Sequence, residues 1–586
     1  MDLRIDRLAA SYATGTSPVE VAEWVTAAAD ASDPAVWIAR DPAHLRARAE
    51  ALAALAPDAR GPLHGVPFAV KDNIDVAGYE TTAACPAAAY RPDQSAAAVA
   101  RLEAAGAMVV GKTNLDQFAT GLVGVRSPYG APRSVFREEM ISGGSSSGSA
   151  VAVGAHLVSF ALGTDTAGSG RVPAAFNGIV GLKPTRGAIP CSGVVPANRS
   201  LDCVSVFAGT TADAVRVLDV AAGIDAGDPF SRTGTAKALP AKPRLGVPAA
   251  PEFFGDAQAE AAFAGALEAV RQDFEIVPFD FAPLAQTAAL LYGSAWVAER
   301  THATRHVARE AMHPVTREIV AGGDGYSAVD AYDALYRAAA ARREAEALWA
   351  AFDAILVPTT PTIYSVAAVE ADPITLNSRL GTYTNFVNLM DLAAIAVPAG
   401  FRADGLPHGV TLIAPAWTDA ALAHLGGRLH ASLCPEYGRD RTPLAAADAA
   451  PDGGGGFVDI AVVGAHLAGM PLNHQLTDRG GVLIETTRTA PGYRLFALAG
   501  TVPPKPGLLR DPSVTAGGIE LEVWRLSTEA FGAFVEEVPA PLGIGTVTLA
   551  DGRTVKGFIA EPYGLDGAED ITAMGGWRAY RARQPG

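Results

Sequence analysis

The sequence predicts a large α/β domain followed by a smaller, β-rich α+β domain. Up to about residue 442, short apolar runs typical of buried strands alternate with alanine-rich helical segments. Between residues 443 and 456 the composition changes to PLAAADAAPDGGGG, which is typical of a linker. Beyond it, short runs with a two-residue period are separated by turns. We therefore expect domains over 1–442 and 457–586, joined by a linker over 443–456.

The composition excludes several classes of protein. Of the 586 residues, 49% are hydrophobic and 18% are charged, which is typical of a globular chain and not of a disordered one. The net charge of −16 argues against a nucleic-acid partner, because a protein that coats nucleic acid needs a basic face. It is compatible with an anionic small molecule, since a single arginine can bind a carboxylate inside an acidic protein.

The sequence also indicates a soluble, cytoplasmic protein with reduced cysteines. None of the four cysteines stands in a CxxC pair. The first residues, MDLRIDRLAASYATG, carry charges and lack the apolar core of a signal peptide. The longest uncharged apolar run, 150–163, is too short to cross a bilayer, so we expect no membrane partner.

Local signals predict the individual elements. Residues 1 to about 60 are predicted to be helical, with Ser17 as an N-cap and Pro18 at the first helical position. Apolar runs predict strands in the first domain at 66–70, 108–111, 201–206, 243–248, 275–278, 354–358 and 394–398, the last two stopped by proline. Helices are predicted at 95–105, 211–222 and 258–274, and over most of 283–351. Strands of the second domain are predicted at 459–463, 481–485, 493–498, 519–526, 545–549 and 555–559.

The stretch Ile141–Thr185 carries the strongest chemical signal. It begins with Gly143–Ser149, which contains only glycine and serine, and continues through an apolar, helix-forming segment. It ends with a second loop of glycine, serine and threonine at Gly163–Gly170. Such loops bring hydroxyl groups and backbone N–H groups together, so we expect an active site here.

Two common motifs fit this stretch poorly. The pattern G-x-S-x-G over Gly144–Gly148 would make Ser146 the nucleophile of an elbow, but residues 137–140 are not the buried strand that must precede it. A phosphate-binding loop would need Gly-Lys-Ser/Thr after its glycines, and the sequence lacks it.

A serine activated by a lysine fits better. Lys71 directly follows the apolar run 66–70, where burial would lower its pKa toward neutrality and make it a base. A lysine in this place can also extend outward to solvent, and that alternative stays open. A relay serine would carry the proton, and N–H groups of a Gly/Thr/Ala loop would bind the oxyanion.

These residues, in this order, resemble the amidase signature family. The resemblance rests on GVPFAVKDN at 65–73, GGSSSGS at 143–149, GTDTAGS at 163–169 and GLKPT at 181–185. It implies an amidase-signature fold, with a mixed central sheet covered by helices, and a Ser–cis-Ser–Lys triad that needs no metal and no cofactor. The triad would consist of Ser169 as nucleophile, Ser145 as relay after a cis peptide bond, and Lys71 as base.

The same resemblance implies an oxyanion hole formed by the backbone N–H groups of Thr166, Ala167, Gly168 and Ser169. Many family members have glycine where this chain has Ala167, which makes the loop slightly more crowded. Lys183 and Arg171 are expected to hold the loop by hydrogen bonds and not to act on the substrate.

Within this family the chain resembles the allophanate hydrolases. The resemblance includes AGSGRVPAAFN at 167–177, LDCVS at 201–205 and LYGSAWVAER at 291–300. It implies that Tyr292 and Arg300 hold the substrate carboxylate, with Gly124 as a further substrate contact. The spacing is compatible with this, because residues eight apart lie on nearly one helix face. The alternative is a surface arginine that pairs with Glu299 or with solvent.

The second domain resembles the C-terminal domain of the same enzymes. Segments that carry the resemblance include GAHLAGMPLN at 464–473, TAPGYRL at 489–495 and GGWRAY at 575–580. It implies that this domain decarboxylates N-carboxycarbamate, the product of the first step. The proton donor is assigned to His466, with His474 as the competing residue. The expected carboxylate contacts are Tyr493, Arg494, Lys556 and Arg578.

The resemblance therefore implies hydrolysis of allophanate to ammonia and CO2 by a homodimer. A separate urea carboxylase, or the breakdown of triazines, would supply the substrate. Two alternatives remain open at this stage. One is an amidase that acts on another small amide, and the other is a C-terminal domain that serves only binding or assembly.

Overall fold

A mixed sheet of eleven strands organises the first of two units in the computed structural model, which describes residues 1–240, 242–449 and 457–583. Of these residues, the first unit contains 1–234 and 244–449, and the second contains 235–240, 242–243 and 457–583. The second unit is rich in β-structure. The predicted fold class is therefore confirmed.

The strands of the large sheet are β1 (Trp37–Arg40), β2 (Pro67–Lys71), β3 (Met108–Thr113), β4 (Phe160–Asp165), β5 (Val180–Lys183), β6 (Cys203–Ala208), β7 (Leu245–Pro248), β8 (Ile276–Phe279), β9 (Ala354–Pro358), β10 (Leu392–Phe401) and β11 (Pro407–Pro415). Their order is β1-β3-β2-β4-β6-β5-β10-β11-β9-β7-β8. Strand β2 runs parallel to both β3 and β4, whereas β4 is antiparallel to β6. The carboxyl ends of β2, β3 and β4 therefore meet at one edge of the sheet.

Helices cover this sheet. They are α1 (Ile5–Ala13), α2 (Pro18–Asp30), α3 (Pro42–Ala53), α4 (Ala97–Ala104), α5 (Ser147–Gly154), α6 (Val172–Phe176), α7 (Thr211–Ala221), α8 (Ala257–Val270), α9 (Ala282–Gly293), α10 (Trp296–Thr304), α11 (Pro314–Ala321), α12 (Ala328–Ala345), α13 (Leu348–Ala351), α14 (Val366–Ala371), α15 (Thr375–Leu380), α16 (Phe386–Leu389) and α17 (Asp419–Leu433). The predicted N-cap is confirmed, since Ser17 Oγ accepts a hydrogen bond from Val19 N at 3.1 Å. Helix α5 is buried along its whole length because its side chains are small.

Three expectations about the first unit are wrong in part. The region predicted to be helical contains β1, which pairs antiparallel with β3, so tertiary pairing overrides local helix propensity there. The apolar segment after α5 contains strand β4. Strand β10 does not stop at Pro398 but continues to Phe401, with an irregular register between the two that accommodates the proline.

The segment after α17 contains β12 (Glu436–Tyr437) and β13 (Thr442–Pro443), which pair with each other. Asp448 is buried and forms an ion pair with Arg4, whose Nη1 lies 2.6 Å from Asp448 Oδ2. The first part of the segment predicted as a linker is thus held against the first unit. Its remaining residues, 450–456, lie outside the described residues.

The second unit contains two sheets. Its strands are β14 (Phe457–Val462), β15 (Val482–Arg488), β16 (Tyr493–Ala497), β17 (Pro506–Arg510), β18 (Glu520–Ser527), β19 (Leu542–Thr548), β20 (Thr554–Ala560) and β21 (Glu569–Asp570). The strand orders are β15-β18-β14-β20-β19 and β17-β16-β21. Its helices are α18 (His474–Thr477), α19 (Thr528–Glu536) and α20 (Trp577–Arg581). All six predicted strands are present, whereas β17, β21 and the helices α18, α19 and α20 were not predicted.

Candidate active site

Lys71 is the last residue of β2, and its side chain is fully buried. Its Nζ lies 2.7 Å from Ser145 Oγ and 2.7 Å from Thr164 Oγ1. Burial lowers the pKa of Lys71 to about 7, although the negative charges of Asp116 and Asp202 act in the opposite direction. A substantial neutral fraction therefore exists near pH 7, as a general base requires. The alternative of a lysine that extends to solvent is excluded by this burial.

Ser145 stands at the start of the buried turn that leads into α5. The Gly144–Ser145 peptide bond is cis, as the resemblance implies. The Ser145 carbonyl accepts a hydrogen bond from Asp116 N at 3.0 Å. A Cβ at Gly144 would clash with Asp116 Oδ2, so the close approach of the two chain segments requires glycine here.

Ser169 lies in the loop that follows β4 and is only 2% exposed. Its Oγ lies 3.5 Å from the carbonyl oxygen of Gly121, at the limit of a hydrogen bond. Within the described chain, no hydrogen bond links Ser169 to Ser145. The structure thus brings Lys71 and Ser145 together directly. A proton relay would also need a link from Ser145 to Ser169, and catalytic hydrogen bonds often tighten only when substrate is bound.

The loop that carries Ser169 is fixed by a buried ion pair. Arg171 donates through Nε and Nη2 to the two carboxylate oxygens of Asp165, at 2.9 Å each, and neither side chain is exposed. Asp165 also accepts a hydrogen bond from Gly170 N at 3.0 Å. Lys183 Nζ donates to the carbonyl of Pro184 at 2.7 Å. These contacts agree with the expectation that Arg171 and Lys183 hold the loop.

Four successive backbone N–H groups of this loop have no acceptor in the part of the chain that the structure describes. They belong to Thr166, Ala167, Gly168 and Ser169, which are all buried. Buried N–H groups are nearly always paired, so such a run points to an anionic or carbonyl ligand. Gly168 has φ +151°, and a Cβ there would clash with Thr384 Oγ1. Ala167, by contrast, packs into an apolar cluster that includes Leu291.

Asp202 is hydrogen-bonded to Thr166, the first residue of this loop. Thr166 Oγ1 donates to Asp202 Oδ1, and the N–H groups of Ala197 and Asn198 donate to the same carboxylate at 2.9 and 3.2 Å. Burial raises the pKa of Asp202 to about 6, against the effect of these hydrogen bonds. The carboxylate is therefore ionised at neutral pH and accepts three donors at once.

Tyr292 and Arg300 lie together, as expected, but not for the expected reason. They belong to two helices, α9 and α10, because the chain turns at Ser294, where φ is −145° and ψ is −175°. The two side chains therefore do not share one helix face, and that expectation is wrong. Arg300 Nη2 lies 3.2 Å from Tyr292 OH, and the guanidinium carbon lies 5.1 Å from the centre of the Tyr292 ring. Glu299 instead accepts hydrogen bonds from Ser200, and among the described residues it forms no ion pair with Arg300.

Arg300 is 1% exposed and has no carboxylate partner among the described residues. Its Nη1 donates to Thr120 Oγ1 at 3.0 Å, and its Nε has no hydrogen-bond partner there. The Ser169 hydroxyl group contacts the carbonyl oxygen of Gly121, the residue after Thr120. The guanidinium and the Ser169 hydroxyl group therefore contact consecutive residues. A buried cation without a counter-ion beside this serine is suited to a substrate anion.

Gly124 belongs to a loop that Asp116 organises. Asp116 Oδ2 accepts hydrogen bonds from Val123 N at 3.1 Å and Gly124 N at 3.0 Å, and Oδ1 accepts one from Arg126 N at 3.0 Å. Gly124 has φ +77°, and a Cβ there would clash with the Gly143 carbonyl. Since its N–H is already paired, a substrate contact by Gly124 is left to its carbonyl oxygen.

His466 lies in the second unit and is half-buried. Its ring stacks on Phe558, with centroids 5.0 Å apart, and Nε2 lies 2.8 Å from Gln475 Oε1. Burial lowers its pKa, and the positive charge of Lys505 contributes in the same direction. The competing residue, His474, is exposed, and its Nδ1 lies 3.0 Å from the Pro471 carbonyl.

The four expected carboxylate contacts do not line the cleft at His466. Tyr493 OH accepts a hydrogen bond from Thr548 N at 2.9 Å, and Arg494 pairs with Asp570. Arg578 pairs with Glu522 at 2.6 Å and with Glu520 at 3.1 Å, and Lys556 is exposed. The lysine that does line this cleft is Lys505. The sequence-based assignment of these contacts is therefore not supported.

Three functional side chains of the first unit have no role predicted from the sequence. Thr164 binds Lys71, Asp116 orders the Gly124 loop, and Asp202 holds Thr166. A signal for Asp116 existed, because it follows β3, which is parallel to β2, and carboxyl ends of parallel strands share one sheet edge. Across residues 1–240, 242–449 and 457–583, no group of three or more His, Cys, Asp or Glu side chains is arranged to hold a metal.

Comparison with known proteins identifies the family. A family model described as amidase matches residues 20–423, which is more than half of the chain. The chain belongs to the amidase family. A second family model, described as the allophanate hydrolase C-terminal domain, matches residues 458–582 of this amidase-family chain. Among the described residues of the chain, no helix is both long and apolar enough to cross a membrane.

This amidase-family chain is similar to an allophanate hydrolase, a urea amidolyase and an amidotransferase subunit. The allophanate hydrolase of Kluyveromyces lactis is 40% identical, with a TM-score of 0.78 over 98% of each chain. The urea amidolyase of Saccharomyces cerevisiae is 44% identical over 89% of this chain, and the chain spans only 30% of its length. A glutamyl-tRNA(Gln) amidotransferase subunit of Symbiobacterium thermophilum is 38% identical, over 62% of this chain and 82% of its own length. The resemblance to allophanate hydrolases is thereby confirmed.

Proposed function

We propose that this chain hydrolyses allophanate to ammonia and CO2, with one chemical step in each unit. The observation that carries the proposal is the position of Arg300, a buried guanidinium that has no carboxylate partner among the described residues. Arg300 contacts Thr120, and Ser169 contacts the next residue, Gly121. Allophanate is a urea with a carboxylate on one nitrogen, so it offers an anion for Arg300 and an amide carbonyl for Ser169.

In the proposed first step, neutral Lys71 takes a proton from Ser145, which takes the proton of Ser169 as its Oγ attacks the terminal carbonyl. The unpaired N–H groups of 166–169 stabilise the oxyanion, and each such donor is worth about 3 kcal/mol in a typical hydrolase. Ammonia leaves, and water then releases the acyl group from Ser169. The balanced step is allophanate plus water giving N-carboxycarbamate plus ammonium.

In the proposed second step, His466 supplies a proton to the nitrogen of N-carboxycarbamate as one carboxylate leaves as CO2. The carbamate that remains decays to ammonia and a second CO2. The match of residues 458–582 to the allophanate hydrolase C-terminal domain supports a role of this unit in the same reaction.

We also propose a biological setting. The similarity to proteins named urea amidolyase supports a link to a urea carboxylase, which would supply allophanate. A homodimer and a cytoplasmic location are further parts of the proposal. Analytical ultracentrifugation of the purified chain tests the dimer, and a monomer at micromolar concentration would contradict it.

The function is tested by ammonia release from allophanate, biuret, malonamate and urea. We expect fast release from allophanate alone and two ammonia molecules per allophanate consumed. The Ser169→Ala variant should release none above background. Equal turnover of biuret and allophanate would instead support an amidase for uncharged amides. A His466→Ala variant that still releases both ammonia molecules at the wild-type rate would support a purely structural or binding role for the second unit.

A further inference from the structure

A cleft in the second unit brings Lys505 beside His466. Its polar groups come from His466 and Lys505, while Pro506, Leu542 and Phe558 contribute apolar walls. It therefore places a cation and a titratable ring beside an apolar surface.

Lys505 has no partner for its charge. The structure records no hydrogen bond and no ion pair for its Nζ among residues 457–583 and the other described residues. Arg494 and Arg578, in contrast, are neutralised by acidic residues of the same unit. The backbone of Lys505 is held by two hydrogen bonds. Its backbone N–H donates to Thr501 Oγ1 at 2.9 Å, and its carbonyl oxygen accepts from Leu498 N at 3.1 Å.

His466 is fixed in the same cleft. Phe558 stacks on its ring at an interplanar angle of 13°, and Phe534 contacts the ring edge-on at 5.2 Å between centroids. Nε2 of His466 is hydrogen-bonded to Gln475 Oε1, whereas Nδ1 has no partner among the described residues. One ring nitrogen is thus held and the other is left for a ligand.

We propose that Lys505 binds the carboxylate that stays on the product, while the departing carboxylate lies against Leu542 and Phe558. This inference rests on the proposed function and assigns the contacts of its second step. The retained carboxylate is charged before and after the reaction, so a basic side chain without an acidic partner suits it. The departing carboxylate becomes neutral CO2, so an apolar wall disfavours its charged form and favours its loss.

The step balances in atoms and charge. The bond between nitrogen and the departing carboxylate carbon breaks, and its electron pair moves to nitrogen. A proton delivered through His466 adds to that nitrogen. N-carboxycarbamate, a dianion, plus one proton thus gives carbamate, a monoanion held by Lys505, and CO2. Lys505 neither gains nor loses a proton.

The test follows the two ammonia molecules of each allophanate separately in time, with the full chain. The first comes from the Ser169 step and the second only after decarboxylation. For Lys505→Met we expect the first at the wild-type rate and the second about 10- to 100-fold slower, the loss typical of one charge-assisted contact. Lys505→Arg should restore most of the rate. Arg510→Met is the matched control, because Arg510 is an exposed basic residue at the far end of β17, the strand that directly follows Lys505, and it should behave as wild type.

The outcomes separate this inference from the proposed function. If His466→Ala delays the second ammonia and Lys505→Met does not, the proposed function stands and the role of Lys505 is wrong. If neither variant delays it, the second step of the proposed function is wrong, and this inference is wrong with it. If Lys505→Met does not fold by circular dichroism, Lys505→Gln replaces it, and a wild-type second phase there overturns the proposal.

Discussion

Lys71 Nζ lies 2.7 Å from Ser145 Oγ, in a part of the protein where neither side chain is exposed. Because Lys71 is buried, bulk water does not stabilise its charged form and does not compete for the lone pair of its neutral form. The contact therefore links a base to a hydroxyl group, and several measurable consequences follow from it and from the groups around it.

The first prediction concerns pH. A protonated lysine cannot accept a proton, so kcat/KM for allophanate should fall as the pH decreases through the pKa of Lys71, about 7, and should reach a plateau above it. Protonation of Asp202, whose pKa burial raises to about 6, would add a further loss on the same acidic side. A profile that is flat across neutral pH would show that Lys71 is not the base. Lys71→Arg, which stays charged, should be inactive at every pH.

The second prediction distinguishes the two serines. Ser169→Ala should lower the rate of ammonia release by about 1,000-fold or more, since the nucleophile is lost. Ser145→Ala should also be severely impaired, because it removes the hydroxyl group that carries the proton from Ser169 to Lys71 in the proposed relay. Ser146→Ala, a buried neighbour outside the proposed relay, is the control. If Ser146→Ala lost as much activity as Ser169→Ala while remaining folded, the assignment of the nucleophile would need revision.

The third prediction concerns recognition of the carboxylate. Arg300→Met should raise KM for allophanate by about 10- to 100-fold, the usual value of a charged hydrogen bond. Biuret has a neutral amide in place of the carboxylate, so its kinetics should change little and the preference for allophanate should collapse. Tyr292→Phe, which keeps the ring beneath the guanidinium but removes the hydroxyl group, should have a smaller effect. An equal loss for both substrates in Arg300→Met would show a structural role only.

The fourth prediction concerns Asp202. In Asp202→Asn the amide has one acceptor oxygen, whereas three donors, Thr166 Oγ1 and two backbone N–H groups, point at this position. One donor then faces an NH2 group, and the oxyanion loop should lose its alignment. We expect kcat to fall by about 10- to 100-fold with little change in KM, because the loop acts on the transition state. A change confined to KM would contradict this reason.

The fifth prediction concerns stability. Arg171→Met should destabilise the first unit by about 3–5 kcal/mol, because it leaves the carboxylate of Asp165 buried without its partner. Denaturant unfolding followed by tryptophan fluorescence measures this. The control is Arg343→Met, which breaks an exposed pair with Glu346 and should leave the transition unchanged. Identical unfolding curves for the two variants would show that the buried pair is not needed for stability.

The sequence predicts most of the strands because β-structure at the core has short, continuous apolar runs. The runs at 66–70, 354–358 and 555–559 all correspond to strands. It does not predict β1, since the four residues Trp37–Arg40 form a strand only by pairing with β3. Such pairing is a long-range property that local patterns do not carry.

The same limit applies to the candidate site. Motifs indicate the residues that stand in Gly/Ser loops, and they include Lys71, Ser145 and Ser169. The motif LDCVS contains Asp202 but assigns it no role, because Asp202 acts through three hydrogen bonds to groups that are distant in the sequence or belong to the backbone. The carboxylate contacts expected in the second unit fail for a related reason. Arg494 and Arg578 are satisfied by acidic partners that only the fold reveals, whereas Lys505 has no motif around it.

The parallel pairing of β2 with β4 aligns Phe68 with Phe160 and Val70 with Leu162, and the two phenyl rings stack 4.9 Å apart. Lys71 ends one of these strands, and the loop with Ser169 follows the other. Side chains alternate between the two faces of a sheet, so a slip of one residue would turn Lys71 away from Ser145. The reactivity of the site thus depends on strand register. A substitution at Phe68 or Phe160 that shifts this register is expected to abolish activity, although neither residue belongs to the candidate site.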